Sequence, residues 1–338
     1  MNACFSPMSR ARSARQSGFS LVELMVSLAL GLLIIAGLSL LFSNSSQAGR
    51  ELDKSIRQIE SGRYAMDVLS DDIRLAGFYY EIPPTTYTFV TVSPCVSTVA
   101  ASGWDYAALT VPAAIYGASA SQASSLSCLP NAKAGTVAFA VRRFETATTV
   151  VGAIDLASIY VQTSRCAKDP LASLIIVDTN ATPFTLREQD CTAVKPVHRY
   201  VTRVYYVAAC NECGVDTTPT LKRVEISGTK TTISPLAEGV EEIAFEYGFD
   251  TNNDGEPDVY SLGLSGTADA ADNDWSNVVA VRPYLLTRTT EPTAGFSDPK
   301  TYNLGMSGSR GPYTDNYKRR IYSSSIRLNN VAGPRESS

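Results

Sequence analysis

Histidine is nearly absent from this chain: 338 residues contain one, His198. A Ser-His-Asp triad or a histidine-based metal centre needs partners that a single ring does not supply. No G-x-S-x-G elbow, P-loop or dinucleotide fingerprint occurs, and no pair among the scattered acids stands out as a glycosidase couple. The one C-x-x-C stretch, Cys210-Asn211-Glu212-Cys213, has no second copy to complete a zinc site, so it reads as a disulfide closing a small loop. These absences argue against an enzyme. Proline is missing between Pro7 and Pro83, which leaves that stretch free to form an uninterrupted helix. There is no internal repeat.

The most telling feature present is Gly18-Phe19-Ser20-Leu21-Val22-Glu23, which leads directly into an apolar run to Phe42. As a helix, residues 19–42 would span about 36 Å, against a hydrocarbon core of roughly 30 Å. The stretch 1–18 carries Arg10, Arg12 and Arg15 and no acid, which keeps that end cytoplasmic. A secretory signal loses its apolar region on cleavage; here the apolar region follows Gly18, and no A-x-A-like site follows Phe42. A lone carboxylate, Glu23, near the start of such a segment is costly and requires a partner.

Beyond the anchor, Leu52, Ile56, Ile59, Met66, Leu69 and Ile73 keep helical spacing and mark one amphipathic face, and Gly77 is placed to cap the end. Past Pro83 the texture becomes β. Candidate strands are Thr136–Val141, Leu174–Val177, Tyr200–Ala208, Leu221–Ile226, Ile243–Phe249, Val278–Leu286 and Arg320–Leu328. In Ile243–Phe249 the apolar side chains of Ile243, Phe245, Tyr247 and Phe249 share one face. Pro283 predicts an edge or a bulge. Ala113–Ser127, rich in Ala and Ser, reads as a loop or a poorly ordered insertion. The expected fold class is α+β: a long N-terminal helix followed by a mainly antiparallel sheet. The expected organisation is a basic leader (1–18), a membrane helix (19–42), its amphipathic continuation (43–77) and a β-rich domain (78–338).

The formal charge is −4, and removing the three leader arginines leaves the remainder more acidic still. That argues against a dedicated DNA-binding surface. The Tyr and Arg residues of Arg199–Tyr206 and Lys318–Arg327 read as cross-strand neighbours, and no nucleic-acid partner is expected. Seven cysteines occur. Cys4 lies in the leader, which leaves Cys95, Cys128, Cys166, Cys191, Cys210 and Cys213, an even count suited to an oxidising periplasm. Pairing of sequence neighbours (95 with 128, 166 with 191, 210 with 213) is the first expectation, and other connectivities stay open.

Asp250-Thr251-Asn252-Asn253-Asp254-Gly255-Glu256-Pro257-Asp258 has the D-x-N-x-D-G opening of a calcium loop. A structural Ca2+ would take side-chain oxygens from Asp250, Asn252 and Asp254, the carbonyl of Glu256, and Asp258 directly or through water. The twelfth position is Ser261, so the bidentate Glu is missing, and the loop follows a strand and not a helix. A plain Asn/Asp/Gly turn between strands has the same composition.

The Gly18–Glu23 junction resembles the prepilin processing site of type IV pilins and type II secretion pseudopilins. Arg63-Tyr64-Ala65-Met66, Asp72-Ile73-Arg74-Leu75-Ala76-Gly77-Phe78-Tyr79, Tyr247-Gly248-Phe249-Asp250, Trp275 to Arg288 and Arg319-Arg320-Ile321-Tyr322 resemble PilW-type minor pilins. The resemblance implies cleavage by a prepilin peptidase between Gly18 and Phe19, N-methylation of Phe19, and neutralisation of the new amine by Glu23. It implies a single-pass protein of a Gram-negative inner membrane with a periplasmic C-terminal domain. It also implies assembly with other minor pilins, the major pilin and the inner-membrane assembly machinery, a tip position alongside an adhesin, and support of twitching motility and adhesion. A J-type pseudopilin of type II secretion and a tip module for adhesion or DNA uptake are the alternatives.

Overall fold

A computed structural model describes residues 18–79, 87–105, 108–169, 175–263 and 274–336. The leader arginines, Cys4, Pro83 and Leu174 lie outside the described residues. The chain divides into two compact units, Met1–Asp53 and Lys54–Ser338.

The first element is α1 (Leu21–Leu75), 55 residues long. Its apolar N-terminal stretch is long and apolar enough to cross a membrane, and its side chains there are exposed. The helix stops at Gly77, whose φ of +72° suits a residue without Cβ. Asn330 Nδ2 donates to the terminal carbonyl oxygens of Arg74 and Ala76 at 3.3 and 3.2 Å, covering acceptors that the helix leaves open.

The remaining strands are β1 (Thr88–Val90), β2 (Thr110–Pro112), β3 (Ile115–Ala118), β4 (Ala138–Thr149), β5 (Tyr160–Thr163), β6 (Ile175–Asp178), β7 (Val197–Ala208), β8 (Thr220–Ser227), β9 (Lys230–Glu238), β10 (Val240–Phe249), β11 (Val259–Ser261), β12 (Val278–Arg288), β13 (Tyr302–Asn303), β14 (Ser309–Arg310), β15 (Arg319–Ser323) and β16 (Ile326–Arg327). Two short helices complete the architecture, α2 (Ala120–Ser125) between β3 and β4, and α3 (Asn329–Glu336) at the C-terminus. The first large sheet has seven strands in the order β3-β4-β7-β5-β6, with β8 on β7 and β9 on β8. The second has five, β11-β10-β12-β15 with β16 on β12. Both are antiparallel.

The main core joins the C-terminal half of α1 to both sheets. Ala65, Met66, Leu69 and Ile73 meet Phe139, Tyr205 and Leu221 of the first sheet and Ile243, Phe245, Tyr247, Phe249 and Leu285 of the second. The alternation read in β10 therefore does turn four large side chains inward. Phe139 stacks on Phe245 with ring centroids 4.7 Å apart. Gly62 lets β15 approach the helix: a Cβ there would lie 2.2 Å from the Tyr322 ring.

Four expectations are corrected. Ala113–Ser127 contains β3 and α2 and is not a loop. Its helix is set by a capping box, in which Ser119 Oγ accepts from Gln122 N–H and Gln122 Oε1 accepts from Ser119 N–H. Pro283 lies in a central strand, paired in register with Phe245. The neighbouring strand breaks instead: Arg320–Leu328 is two strands, β15 and β16, interrupted opposite Pro283, where a missing N–H costs no ladder bond. The strand β9 lies outside the candidate strands, and its Pro235 is tolerated because β9 pairs only with β8 among the described residues. The amphipathic stripe is covered through Gln58, Gly62, Ala65, Met66, Leu69 and Ile73, whereas Leu52 and Ile56 stay 62% and 42% exposed.

Candidate processing and assembly site

At the N-terminal junction, a Cβ added to Gly18 would meet no other atom within 4 Å, and Phe19 is 88% exposed. An exposed, unencumbered peptide bond is what a protease requires. Two residues on, the chain turns into α1 through a reciprocal cap. Ser20 Oγ accepts from Val22 N–H at 3.3 Å, and Glu23 Oε2 accepts from Ser20 N–H at 3.0 Å. Glu23 thus folds back over the first turn, where the helix dipole favours a carboxylate. That holds its charge one residue from the Phe19 amide nitrogen. The S-x-x-E spacing of Ser20 and Glu23 is a readable signal for this cap.

The three cysteine pairs are joined as sequence neighbours. Cys95–Cys128, Cys166–Cys191 and Cys210–Cys213 have Cα separations of 5.5, 5.1 and 5.0 Å. Around the last pair, the Asp216 carboxylate accepts from the Asn211, Glu212 and Thr218 N–H groups, so the turn has a second support. Those backbone donors hold the Asp216 carboxyl below its usual range.

The 250–258 loop does not fit a calcium ion. Asp250 Oδ1 accepts from Asn253 N–H at 2.6 Å, and its Oδ2 takes Gly255 N–H at 2.9 Å and the Arg335 guanidinium at 3.0 Å. Asp258 Oδ2 is used by the Thr251 N–H and hydroxyl, and Asp254 Oδ1 by Glu256 N–H. Asn252 Nδ2 donates to Asp254 and Asp258. The Glu256 side chain is exposed. Among the described residues no three His, Cys, Asp or Glu side chains are grouped to hold a metal. The spacing is met, but the carboxylates serve backbone donors and a guanidinium. Burial would raise the Asp250 pKa; Arg335 and the two N–H groups outweigh it and hold the carboxyl below its usual range.

His198 is held within the fold. Its Nδ1 lies 2.9 Å from the Glu145 carbonyl oxygen, and its ring stacks on Phe144. Three arginines of the two Tyr/Arg segments are paired with carboxylates within the fold. Arg199 binds Glu145 and Glu225, Arg203 binds Asp72 and Glu225, and Arg319 binds Glu241 and Asp315.

Asp72, an acid that no sequence pattern singles out, is the hub that ties α1 to the first sheet. It is buried, with Oδ1 at 2.7 Å from Arg203 Nη1 and 3.3 Å from Arg143 Nη2, while Oδ2 accepts from the Tyr205 hydroxyl. Burial, the Asp72 charge and its hydrogen bond push the Tyr205 phenol up. Burial and the neighbouring Arg203 pull Arg143 down against the pull of Asp72.

Residues 204–330 match the family model described as type IV pilus-assembly protein W, and residues 13–39 match the prokaryotic N-terminal methylation motif. The first match runs from β7 through the second sheet to the start of α3 and includes the 247–250, 275–288 and 319–322 segments. No curated protein matches the chain. The solved structure of a type IV-like pilin from Thermus thermophilus is similar at 11% identity, over 82% of this chain and 98% of that one, with a TM-score of 0.36. With a prepilin-type methylation motif at its N-terminus and the PilW match on its C-terminal sheets, the chain is similar to type IV pilus minor pilins of the PilW family.

Proposed function

We propose that this chain is a minor pilin that primes assembly of a type IV pilus and sits in the complex at its tip, supporting twitching motility and adhesion. The observation that carries the reading is the methylation motif placed directly before a helix whose apolar side chains, Leu21 to Phe42, are uncovered on every side. Such a surface is stable in a membrane before assembly and among other apolar helices after it.

In this reading the precursor inserts with residues 1–18 in the cytoplasm and the β-rich domain in the periplasm. Prepilin peptidase cuts after Gly18 and methylates Phe19. Glu23, already folded over the first helical turn, neutralises the new amine on its own or a neighbouring chain. Helix burial against other minor pilins and the major pilin supplies lateral contact energy, and exposed Leu52 and Ile56 add apolar area for the same purpose. The inner-membrane machinery then draws the complex outward. The protein acts as a structural and assembly subunit and not as an enzyme, and the reading requires no metal.

A clean deletion tests this. Few or no surface pili with normal protein secretion is the expected result. Normal pili with failed secretion would instead assign the chain to a type II pseudopilus as a J-type subunit. Normal values for both would contradict a priming role and leave a tip-binding module.

A further inference from the structure

The Asp250 side chain is fully buried at the head of its loop. A carboxylate in that position requires one balancing positive charge. Asp254 and Asp258 share the calcium-like spacing but are exposed. The balancing charge comes from the far end of the chain. Arg335, in the last turn of α3, brings Nη1 to 3.0 Å from Asp250 Oδ2. Its Nη2 donates to the Ser276 carbonyl oxygen at 2.8 Å and to Asn277 Oδ1 at 3.0 Å. One guanidinium thus gathers a carboxylate from the 250–258 loop and a carbonyl and an amide oxygen from the 3-10 turn Trp275–Asn277, which is the set of oxygens that a hard cation draws together.

The surroundings hold α3 in that place. Leu328 and Ala332 are buried. Gly255, at φ +85°, lets the loop approach so closely that a Cβ would lie 2.7 Å from the Ala332 carbonyl oxygen. Arg327 reaches the Gly255 carbonyl oxygen at 3.3 Å and pairs with Glu336.

We propose that the 250–258 loop is a cation-binding loop whose cation is the chain's own Arg335 guanidinium, so that α3 serves this domain as a bound calcium ion would serve such a loop elsewhere. The charge balance favours this occupant. A guanidinium brings one positive charge to one buried carboxylate, whereas calcium brings two and takes six to eight oxygens. Neutralising calcium would draw Asp254 or Asp258 away from backbone donors. The inference concerns the folded domain and stands apart from the pilus-priming reading.

Thermal unfolding of the full-length chain in detergent micelles, in millimolar calcium chloride or in EDTA, tests it. The unaltered chain should melt at the same temperature in both. Arg335→Gln should melt about 6 °C lower or more in EDTA and recover at least half of that loss in calcium, which can then occupy the vacated position. Asp250→Asn combined with Arg335→Gln removes both charges and should remove the calcium response. If Arg335→Gln does not fold in EDTA, folding in calcium supports the proposal and failure in both overturns it. A calcium-dependent rise in the unaltered chain, or no response in Arg335→Gln, also overturns it.

Discussion

Replacing Asp72 by alanine should be among the most damaging single changes in the β-rich unit. The carboxylate accepts from Arg203 at 2.7 Å, Arg143 at 3.3 Å and the Tyr205 hydroxyl, all in a buried setting. Arg203 would survive its loss, because its Nε also binds Glu225 at 2.8 Å. Arg143 would not. Its side chain is 8% exposed, its Nε has no hydrogen-bond partner, and it would keep the Phe144 carbonyl oxygen, a neutral acceptor at 3.1 Å, in place of a carboxylate. Breaking a buried pair and stranding one charge costs about 3–5 kcal/mol. In a unit this large, where 1 kcal/mol corresponds to about 2 °C, the melting temperature should fall by about 6–10 °C. Adding Arg143→Met to Asp72→Ala removes the stranded charge and should recover most of that loss, a coupling that a double-mutant cycle measures directly. A loss below about 1 kcal/mol for Asp72→Ala, or no recovery in the double variant, would refute the reasoning.

Three further outcomes follow from named contacts. Gly62→Ala should cost about 1–3 kcal/mol through collision with the Tyr322 ring, and Tyr322→Ala in the same chain should relieve the collision, as read by denaturant midpoints. Removing Cys95–Cys128, which closes a separation of 33 residues, should cost about 4 kcal/mol, and removing Cys210–Cys213, with a separation of 3, about half as much; thermal melts of the paired Ser variants compare them. Burial would raise the Glu225 pKa, but Arg203 and Arg199 outweigh it and hold the carboxyl below its usual range. Its stabilising effect is therefore present above the unfolded pKa and lost as pH falls through the folded one. Stability should hold from pH 7 to about 5 and fall below about 4, with a shallower fall in Glu225→Gln, as followed by urea unfolding across pH.

The parts of this molecule that are legible in the sequence are those carried by local patterns. A lone Glu near the start of a long apolar run announces the junction, and alternation places Phe245, Tyr247 and Phe249 on the core face. The stripe Met66, Leu69, Ile73 announces the covered face of α1. Two features that pattern reading passes over also have local signals. Ser119-x-x-Gln122 is a capping box hidden in an Ala/Ser-rich stretch, and Ser20-x-x-Glu23 has the same spacing at the head of α1, where Glu23 takes the Ser20 N–H and Ser20 Oγ takes the Val22 N–H. The rest depends on long-range pairing that no window reveals. Asp72 looks like a surface acid beside Asp71 until Arg143, Arg203 and Tyr205 arrive from β4 and β7. The calcium spacing of Asp250, Asn252 and Asp254 is real, but its occupant lies 85 residues further along the chain. Pro283 reads as an edge residue because its own strand does not record that β15 and β16 part opposite it.

The most direct test of the central claim is mass spectrometry of the N-terminus of this chain in sheared surface pili. The account predicts a mature chain that begins at Phe19, carries one added methyl group, and is present in the pilus fraction. A chain that keeps residues 1–18, or one that begins beyond Phe42, would contradict it.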